Sequence, residues 1–299
     1  MAAARQDRKP FALRDLEWVI RSPFLLKDAP VPKLGQHAET EALLARLKAD
    51  PEPLLAHLAA TSRLNLGRYF EQLVIFWLTN LPSISLVTSN IPIFREKRSL
   101  GEIDLAFLYE GQAYHWELSI KFYLNIGSTE NEADFVGPML KDTLKRKLDR
   151  LYDHQLQLPI QQETVIALAE RGLKDIISSP WVKGCLFYPR TGDNETSIPP
   201  YRVSKDSLTG AWQDRSHNMD TSLPDFDHFL ILDKKRWLTP YFYGEEALKG
   251  NKAALFEAVD HAFSQRRMPY LVQLMRDDGD NILSPQGPRL FIVPEGWPG

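Results

Sequence analysis

The chain has 299 residues, of which 43% are hydrophobic and 25% charged, and its net charge is −3. These proportions are typical of a folded globular protein and exclude collagen-like or intrinsically disordered sequence. Cys185 is the only cysteine, so an intramolecular disulfide and a cysteine-based zinc site are excluded. The slightly acidic balance disfavours a strongly basic binding module, although a local basic stripe is compatible with it.

The first ten residues carry charges and no apolar stretch, so we predict no signal peptide. The longest uncharged run, residues 72–94, contains several polar residues and a Pro-Ser break. A membrane span is predominantly apolar, so we interpret this run as a buried helix, a turn and a strand. The sequence therefore predicts a cytoplasmic protein without a membrane partner, and it leaves the oligomeric state open.

In chain order, the first predicted elements are helical. The leucine spacing in residues 1–60 predicts two short helices separated by a break at Pro51–Pro53, within an N-terminal helical extension. Residues 66–79 are apolar almost all round, which predicts a helix buried on several sides that Pro82 ends. Residues 84–94 are rich in β-branched side chains and predict a strand, in which Pro92 indicates an edge or a bulge.

The clearest pattern in the chain is a β-hairpin over residues 102–122. Apolar and polar side chains alternate along both predicted strands, 102–109 and 112–122, and only Glu110-Gly111 separates them. A two-residue turn makes paired residue numbers sum to 221. Every apolar residue of the first strand then faces an apolar residue of the second, which supports this register. The facing pairs on the apolar side are Ile103 with Leu118, Leu105 with Trp116, and Phe107 with Tyr114.

Further along the chain, residues 137–156 predict a helix that Gly137-Pro138 opens, and residues 182–188 predict a buried strand. The composition of residues 191–207 shifts to Gly, Asp, Asn, Ser and Pro, which indicates a linker or large loop. Two strands, with one or two helices between them, are predicted after it. We therefore divide the chain into an N-terminal extension (1–60), a core (61–190) and a C-terminal α+β region (191–299), which is compatible with packing as one domain with the core.

The predicted register places Asp104 directly opposite Glu117, with Cβ atoms about 4.5–5.5 Å apart. Two facing carboxylates are destabilising unless a cation, a lysine or a shared proton offsets their repulsion. Lys121 projects from the same face as Glu117. Mg²⁺ is commonly held by one or two carboxylates with water and phosphate oxygens, so this pattern suits metal-assisted phosphodiester hydrolysis. The alternative is an ordinary solvent-facing strand surface, on which Glu117 and Lys121 form a weak ion pair.

The motif GEIDLAF, a short turn and then HWELSIK resembles the core of the PD-(D/E)XK nuclease-like superfamily. The order of predicted elements over residues 60–190 is similar to the helix, three strands, helix and strand of that core. The whole chain also resembles an uncharacterised bacterial family of unknown function that has been placed in this superfamily. The resemblance implies an α/β fold with a restriction-endonuclease-like mixed sheet flanked by helices.

The resemblance also implies site residues. Asp104 and Glu117 match the metal-binding acids, the Leu118 carbonyl matches a further ligand, and Glu71 in YFEQL matches the acid on the first helix. The lysine expected at position 119 is Ser119 here, and Lys121 follows two residues later on the same strand face. The implied function is Mg²⁺- or Mn²⁺-dependent hydrolysis of nucleic acid, with DNA as the favoured substrate.

Two other functions compete with this one. The displaced lysine and the acidic net charge suit a catalytically inactive, nuclease-like scaffold that binds nucleic acid or protein. Paired carboxylates at this spacing also suit a retaining glycosidase, although no other feature of the chain supports a sugar site.

Overall fold

The computed structural model describes residues 11–28, 30–60, 65–190, 198–216, 223–239, 247–277 and 283–298. These residues form two compact units, each assembled from separate stretches of chain. The first unit takes the chain up to Ile120, then Arg146–Lys183 and Arg202–Asp206. The second unit takes Lys121–Lys145, Gly184–Tyr201 and the chain from Ser207 onward.

The first unit begins with four helices. The predicted pair of short helices is confirmed, with the break at Pro51, and a further helix precedes them. The helix predicted over 66–79 has the bounds Leu66–Thr79, and its first turn is capped by the Asn65 side chain, which accepts from the Arg68 N–H at 3.0 Å. These helices are α1 (Ala12–Arg21), α2 (Ala38–Ala49), α3 (Glu52–Ala60) and α4 (Leu66–Thr79).

Three long strands follow, β1 (Ile84–Arg95), β2 (Arg98–Tyr109) and β3 (Gln112–Asn125), paired antiparallel in that order. The predicted hairpin register is confirmed from Leu105 with Trp116 down to the turn. Glu110 and Gly111 have φ values of 49° and 80°, which is the backbone of a two-residue turn that matches strand twist.

Strand β1 lies at the edge of the sheet, as Pro92 predicted, and its pairing with β2 shifts register after Ile93. Helices cover both faces of this part of the sheet. On one face Trp77 of α4 stacks on Trp116, with ring centroids 6.0 Å apart. On the other face, α6 (Gln162–Ala169) contributes Leu168 to a core that includes Ala106 and Ala113.

The helix predicted over 137–156 is shorter in the structure, and the prediction for its first turns is wrong. Residues 137–143 form a loop, closed by a hydrogen bond from the Gly137 N–H to the Asp142 carbonyl at 2.9 Å and by a bridge from Val136 to Thr143. Leu140 has a φ of 57°, which no helix accommodates. The helix itself is α5 (Leu144–Arg150), and it continues as a single turn of π-helix over Leu151–Gln155.

The remaining elements include the predicted buried strand, which is longer than expected, and the predicted C-terminal helix. Strand β5 neighbours β3, and the order in the second unit is β5-β6-β10-β9-β7-β8, with β4 on β3. Strands β5, β6 and β10 run parallel and the other recorded pairs are antiparallel, so the sheet is mixed. The elements are β4 (Phe135–Val136), β5 (Ile177–Pro189), β6 (Leu208–Asp214), β7 (His228–Leu232), β8 (Leu248–Lys249), α7 (Lys252–Gln265), β9 (Tyr270–Asp277) and β10 (Leu283–Val293).

The fold is therefore a mixed α/β architecture, as predicted. In the second unit α7 packs Leu255 and Val259 against Phe229, Val272 and Ile292 of the sheet. No helix in the described ranges is long and apolar enough to cross a membrane. The uncharged run 72–94 is a helix, a turn and a strand, as we interpreted it.

Candidate metal centre

The β2–β3 hairpin brings Asp104 and Glu117 together inside the first unit. Beyond the last ladder pair, Leu105 with Trp116, the Asp104 carboxylate accepts a hydrogen bond from the Leu118 N–H at 3.0 Å. A side-chain oxygen thus takes the place of a backbone acceptor, which fixes the Asp104 carboxylate over β3. The role of the Leu118 carbonyl as a metal ligand stays a prediction.

Glu117 is buried, with 1% of its surface exposed, so the alternative of a solvent-facing strand surface is wrong. Its Oε1 accepts a hydrogen bond from the Gln155 side chain. Its Oε2 receives no hydrogen bond from any residue in the described part of the chain. A buried carboxylate oxygen without a donor is costly, and native proteins normally satisfy such atoms.

The two carboxyl groups resist ionising together. Burial, and after it the facing Glu117 carboxylate, raises the pKa of Asp104 to about 7. Burial raises the pKa of Glu117 to about 7 as well, against the opposing charges of Lys147 and Arg150. The two groups lie close enough to hydrogen-bond when one of them carries a proton. A shared proton or a cation is what such a pair needs.

His115, on the same face of β3 as Glu117, is fully buried beside it. Its Nε2 lies 3.7 Å from Glu117 Oε2, and its Nδ1 lies 3.3 Å from the Ser178 hydroxyl of β5. Burial lowers the pKa of His115 to about 4, so the imidazole is neutral at pH 7. The sequence indicates this neighbourhood, because His115 and Glu117 are two residues apart on one strand and so share a face.

Two further residues near Glu117 were not predicted as site residues. They are Lys147 on α5 and Gln155 on the π-helical turn after it. Gln155 donates to Glu117 through Nε2 and accepts through Oε1 from Lys147 Nζ at 3.0 Å. The chain Lys147–Gln155–Glu117 brings a positive charge toward the buried carboxylate. Single turns of π-helix occur often at functional sites, and this one places Gln155 within reach of β3.

Lys121 belongs to the second unit, although β3 carries both it and Glu117. Its Nζ lies 3.2 Å from Asp142 Oδ2, which also accepts from the Tyr123 hydroxyl at 3.1 Å. The predicted lysine therefore has a carboxylate partner of its own in the loop before α5. Its assignment to the site stays a prediction.

Glu71 lies on α4 and is paired with Arg68 of the same helix at 2.8 Å. Burial raises the pKa of Glu71, Arg68 opposes this rise, and the Asp104 charge adds to it. Arg68 also lies 3.8 Å from Glu102 and contacts Asn90. The structure therefore brings Glu71 into the electrostatic neighbourhood of Asp104, with an arginine beside it.

The chemistry of these donors fits one divalent cation held by few protein ligands. In the described part of the chain, no group of three or more His, Cys, Asp or Glu side chains has the arrangement of a metal site. A pair of carboxylates is nevertheless enough for Mg²⁺, which keeps several waters and commonly takes substrate phosphate oxygens. The unpartnered Oε2 of Glu117 beside Asp104 is the position that such an ion would satisfy.

Comparison with known proteins identifies the family. Residues 14–293 match the family described as a domain of unknown function, DUF1853. The chain belongs to the DUF1853 family. No curated protein and no solved structure matches it. Since the family has no assigned function, the function of this DUF1853 member has to be argued from its own residues.

Proposed function

We propose that this DUF1853 protein is a Mg²⁺- or Mn²⁺-dependent nuclease with a restriction-endonuclease-like core, acting on DNA. The observation that carries the proposal is the facing Asp104–Glu117 pair, in which the buried Glu117 has one carboxylate oxygen without a hydrogen-bond donor in the described part of the chain. Folding two acids against each other costs stability unless a ligand compensates. A divalent cation compensates and, when bound, activates water and polarises a phosphodiester.

In this proposal each residue has a role. Asp104 and Glu117 hold the metal ion, with the Leu118 carbonyl as a further ligand. Glu71, paired with Arg68, would assist from α4 by accepting a hydrogen bond from the attacking water. Gln155 holds the Glu117 carboxylate in place, and Lys147 or Lys121 provides positive charge for the phosphate oxygens.

The first test is calorimetric titration of Mn²⁺ into the purified chain, with and without a short DNA duplex. We expect about one or two ions per chain, the number used in metal-assisted phosphodiester hydrolysis. The variants Asp104→Asn and Glu117→Gln should lose this binding and all Mg²⁺-dependent cleavage of DNA. The matched control is Glu257→Gln, which neutralises an exposed carboxylate on α7 and should behave as the wild type.

The opposite result is equally clear. If the wild-type chain binds no Mn²⁺ in either condition, the metal site does not exist and the nuclease proposal fails. The competing function, a non-catalytic binding module, is favoured by the pairing of Lys121 with Asp142. It predicts DNA binding that is insensitive to Asp104→Asn, without cleavage.

A further inference from the structure

Arg68 lies in the first turn of α4, in the same unit as the facing carboxylates of Asp104 and Glu117. Almost half of its side chain, 47%, is exposed, so a large ligand in solution can reach it. The Asn65 side chain caps this turn and accepts from the Arg68 N–H, which fixes the backbone from which the guanidinium extends. The guanidinium thus starts from a fixed backbone and ends at the surface of the unit.

Side chains of three elements surround this guanidinium. Its Nη1 donates to Glu71 Oε2 of α4 at 2.8 Å and to the Asn90 side chain of β1. Its Nη2 lies 3.8 Å from Glu102 of β2, which is beyond hydrogen-bond distance. Within the described part of the chain, Nε and Nη2 donate no hydrogen bond. One end of the guanidinium is therefore anchored, while the edge formed by Nε and Nη2 keeps its donors for another acceptor.

The same edge binds an anion elsewhere in this chain. In the second unit, Arg215 donates through Nε and Nη2 to the two oxygens of Asp260, at 2.8 and 2.6 Å. Two parallel donors match the spacing of two oxygens on one carboxylate or phosphate, which is why arginine recognises such groups. The Nε–Nη2 edge of Arg68 has this geometry and is on an exposed side chain.

Asn90 contacts Arg68 from a strained backbone. Its φ is 54°, in the left-handed region, although it lies within strand β1. The flanking ladder pairs place it opposite Asp104 of β2. Left-handed residues other than glycine are uncommon in strands, and they cluster at active sites. The distortion of β1 thus falls beside the proposed metal centre, and the side chain at that point holds Arg68.

The charges around Arg68 place it close to the carboxylate pair. The Glu71 carboxylate, and after it those of Glu102 and Asp104, raise the pKa of this guanidinium. A cation beside a metal-binding carboxylate suits a ligand that brings negative charge and also supplies oxygen atoms to the metal ion. A phosphodiester does both, because its non-bridging oxygens accept from a guanidinium and bind a divalent cation.

We propose that Arg68 donates through Nε and Nη2 to the non-bridging oxygens of a substrate phosphate, next to the metal ion that Asp104 and Glu117 hold. This inference rests on the proposed nuclease function and adds a residue that contacts the substrate. Position 119, where the resemblance places a lysine, is Ser119, and Lys121 is engaged by Asp142. Arg68 supplies positive charge for the phosphate from α4 instead.

The affinity for DNA tests this role. Binding of a fluorescently labelled duplex is measured by anisotropy with Ca²⁺, which binds carboxylate oxygens, and gel electrophoresis checks that the duplex stays uncut. We expect Arg68→Met to weaken binding at least about tenfold, the worth of one charge-assisted hydrogen bond. The slope of log affinity against log salt should fall by about 0.9, the value for one phosphate contact. Arg68→Lys should restore the slope and only part of the affinity, because an ammonium lacks the planar fork.

Two further variants separate a phosphate contact from other roles. Arg21→Met is the matched control, because Arg21 is 48% exposed and paired with Glu41 at 2.7 Å, and it should bind DNA as the wild type does. If Arg68 only neutralises Glu71, then Arg68→Met has no further effect in a Glu71→Gln chain. We expect instead that Arg68→Met lowers the affinity of the Glu71→Gln chain by about the same tenfold factor.

Three results would overturn the inference. They are an affinity of Arg68→Met within about twofold of the wild type, a loss that disappears in the Glu71→Gln chain, and an equal loss in Arg21→Met. Calorimetric titration of Mn²⁺ and a cleavage assay separate the two proposals. If the wild type and Arg68→Met bind Mn²⁺ and cleave DNA equally well, the nuclease proposal stands and this inference fails. If the wild type binds no Mn²⁺, the nuclease proposal fails and this inference fails with it.

Discussion

Asp104 and Glu117 face each other, with Glu117 buried and Asp104 half-buried. Their ionisation is therefore coupled to folding. In the unfolded chain their pKa values are 3.8 and 4.5, and in the folded chain both are raised to about 7. The folded protein thus holds protons that the unfolded chain has released between pH 4 and pH 7. Since stability falls with pH wherever the folded state binds more protons, this pair destabilises the protein progressively over that interval.

We accordingly predict that Glu117→Gln raises the free energy of unfolding at pH 8 by about 2 kcal/mol and flattens the decline between pH 4 and pH 7. The measurement is urea unfolding across that pH range without divalent cations. Glu257→Gln, which removes an exposed carboxylate, should retain the wild-type profile. If the free energy of unfolding of Glu117→Gln falls more steeply with pH than that of the wild type, the two carboxyl pKa values are not raised by folding.

A second prediction at this scale concerns which lysine serves the site. Lys147 reaches Glu117 through Gln155, whereas Lys121 contacts Asp142. We expect Lys147→Met to reduce the rate of DNA cleavage by about 100-fold or more, the range found for removal of a charged group that stabilises a transition state. Lys121→Met should cleave at close to the wild-type rate. Both variants should bind Mn²⁺, because neither lysine is a metal ligand.

The reverse outcome, with cleavage lost in Lys121→Met and kept in Lys147→Met, would assign the role to the lysine that the sequence predicted. If Lys147→Arg cleaves at the wild-type rate while Lys147→Met does not, positive charge is the property needed at this position. An inactive Gln155→Leu variant would show that the side chain linking Lys147 to Glu117 is needed for cleavage.

Among the secondary structure elements, β3 and β5 depend on one glycine in the second unit. Gly184 has a φ of 152°, and a Cβ atom at this position would lie 1.8 Å from the backbone carbonyl oxygen of Lys121. Only a residue without a side chain lets the two backbones approach this closely. Any other residue forces the strands apart at the point where Lys121 meets Asp142.

We therefore predict that Gly184→Ala lowers the free energy of unfolding by about 3 kcal/mol or more, because overpacking and backbone strain add. Gly111→Ala is the matched control. Gly111 also has a positive φ, of 80°, but apart from its chain neighbours no heavy atom of the described residues lies within 4 Å of the position of its Cβ, so only the conformational strain of about 1 kcal/mol applies. Equal losses in the two variants, measured by urea unfolding, would contradict the close approach of the strands.

The elements also show what the sequence could predict. The hairpin register from Leu105 with Trp116 to the turn was correct, and so was α4, because alternation and apolar content are local signals that packing here reinforces. The helix predicted from residue 137 failed, because a backbone hydrogen bond from Gly137 to Asp142 closes a loop that a leucine pattern does not reveal. Gln155 and Glu117 lie far apart in the chain. Their contact is set by tertiary packing, which leaves no periodic pattern in the sequence.

Over the whole molecule, the α/β class followed from the order of predicted helices and strands. The mixed sheet of the second unit did not, because the parallel pairing of β5, β6 and β10 joins strands that are distant in the chain. The facing of Asp104 and Glu117 was predictable, since both acids lie in one hairpin, but the burial of Glu117 was not. The contacts of Arg68 were not predictable either, because they join α4 to β1 and β2.

Because β3 and β5 are neighbours in the sheet, one edge of β3 stays unpaired until β5 has been synthesised. Strands β1 to β3 are complete once residue 125 has left the ribosome, but β5 begins only at residue 177. At about 5–20 residues per second, the edge of β3 that faces β5 stays open for roughly 3–10 s on the nascent chain. An open, largely apolar strand edge pairs readily with other chains. While residues 126–176 are being translated, this edge of β3 is therefore open to pairing with other chains.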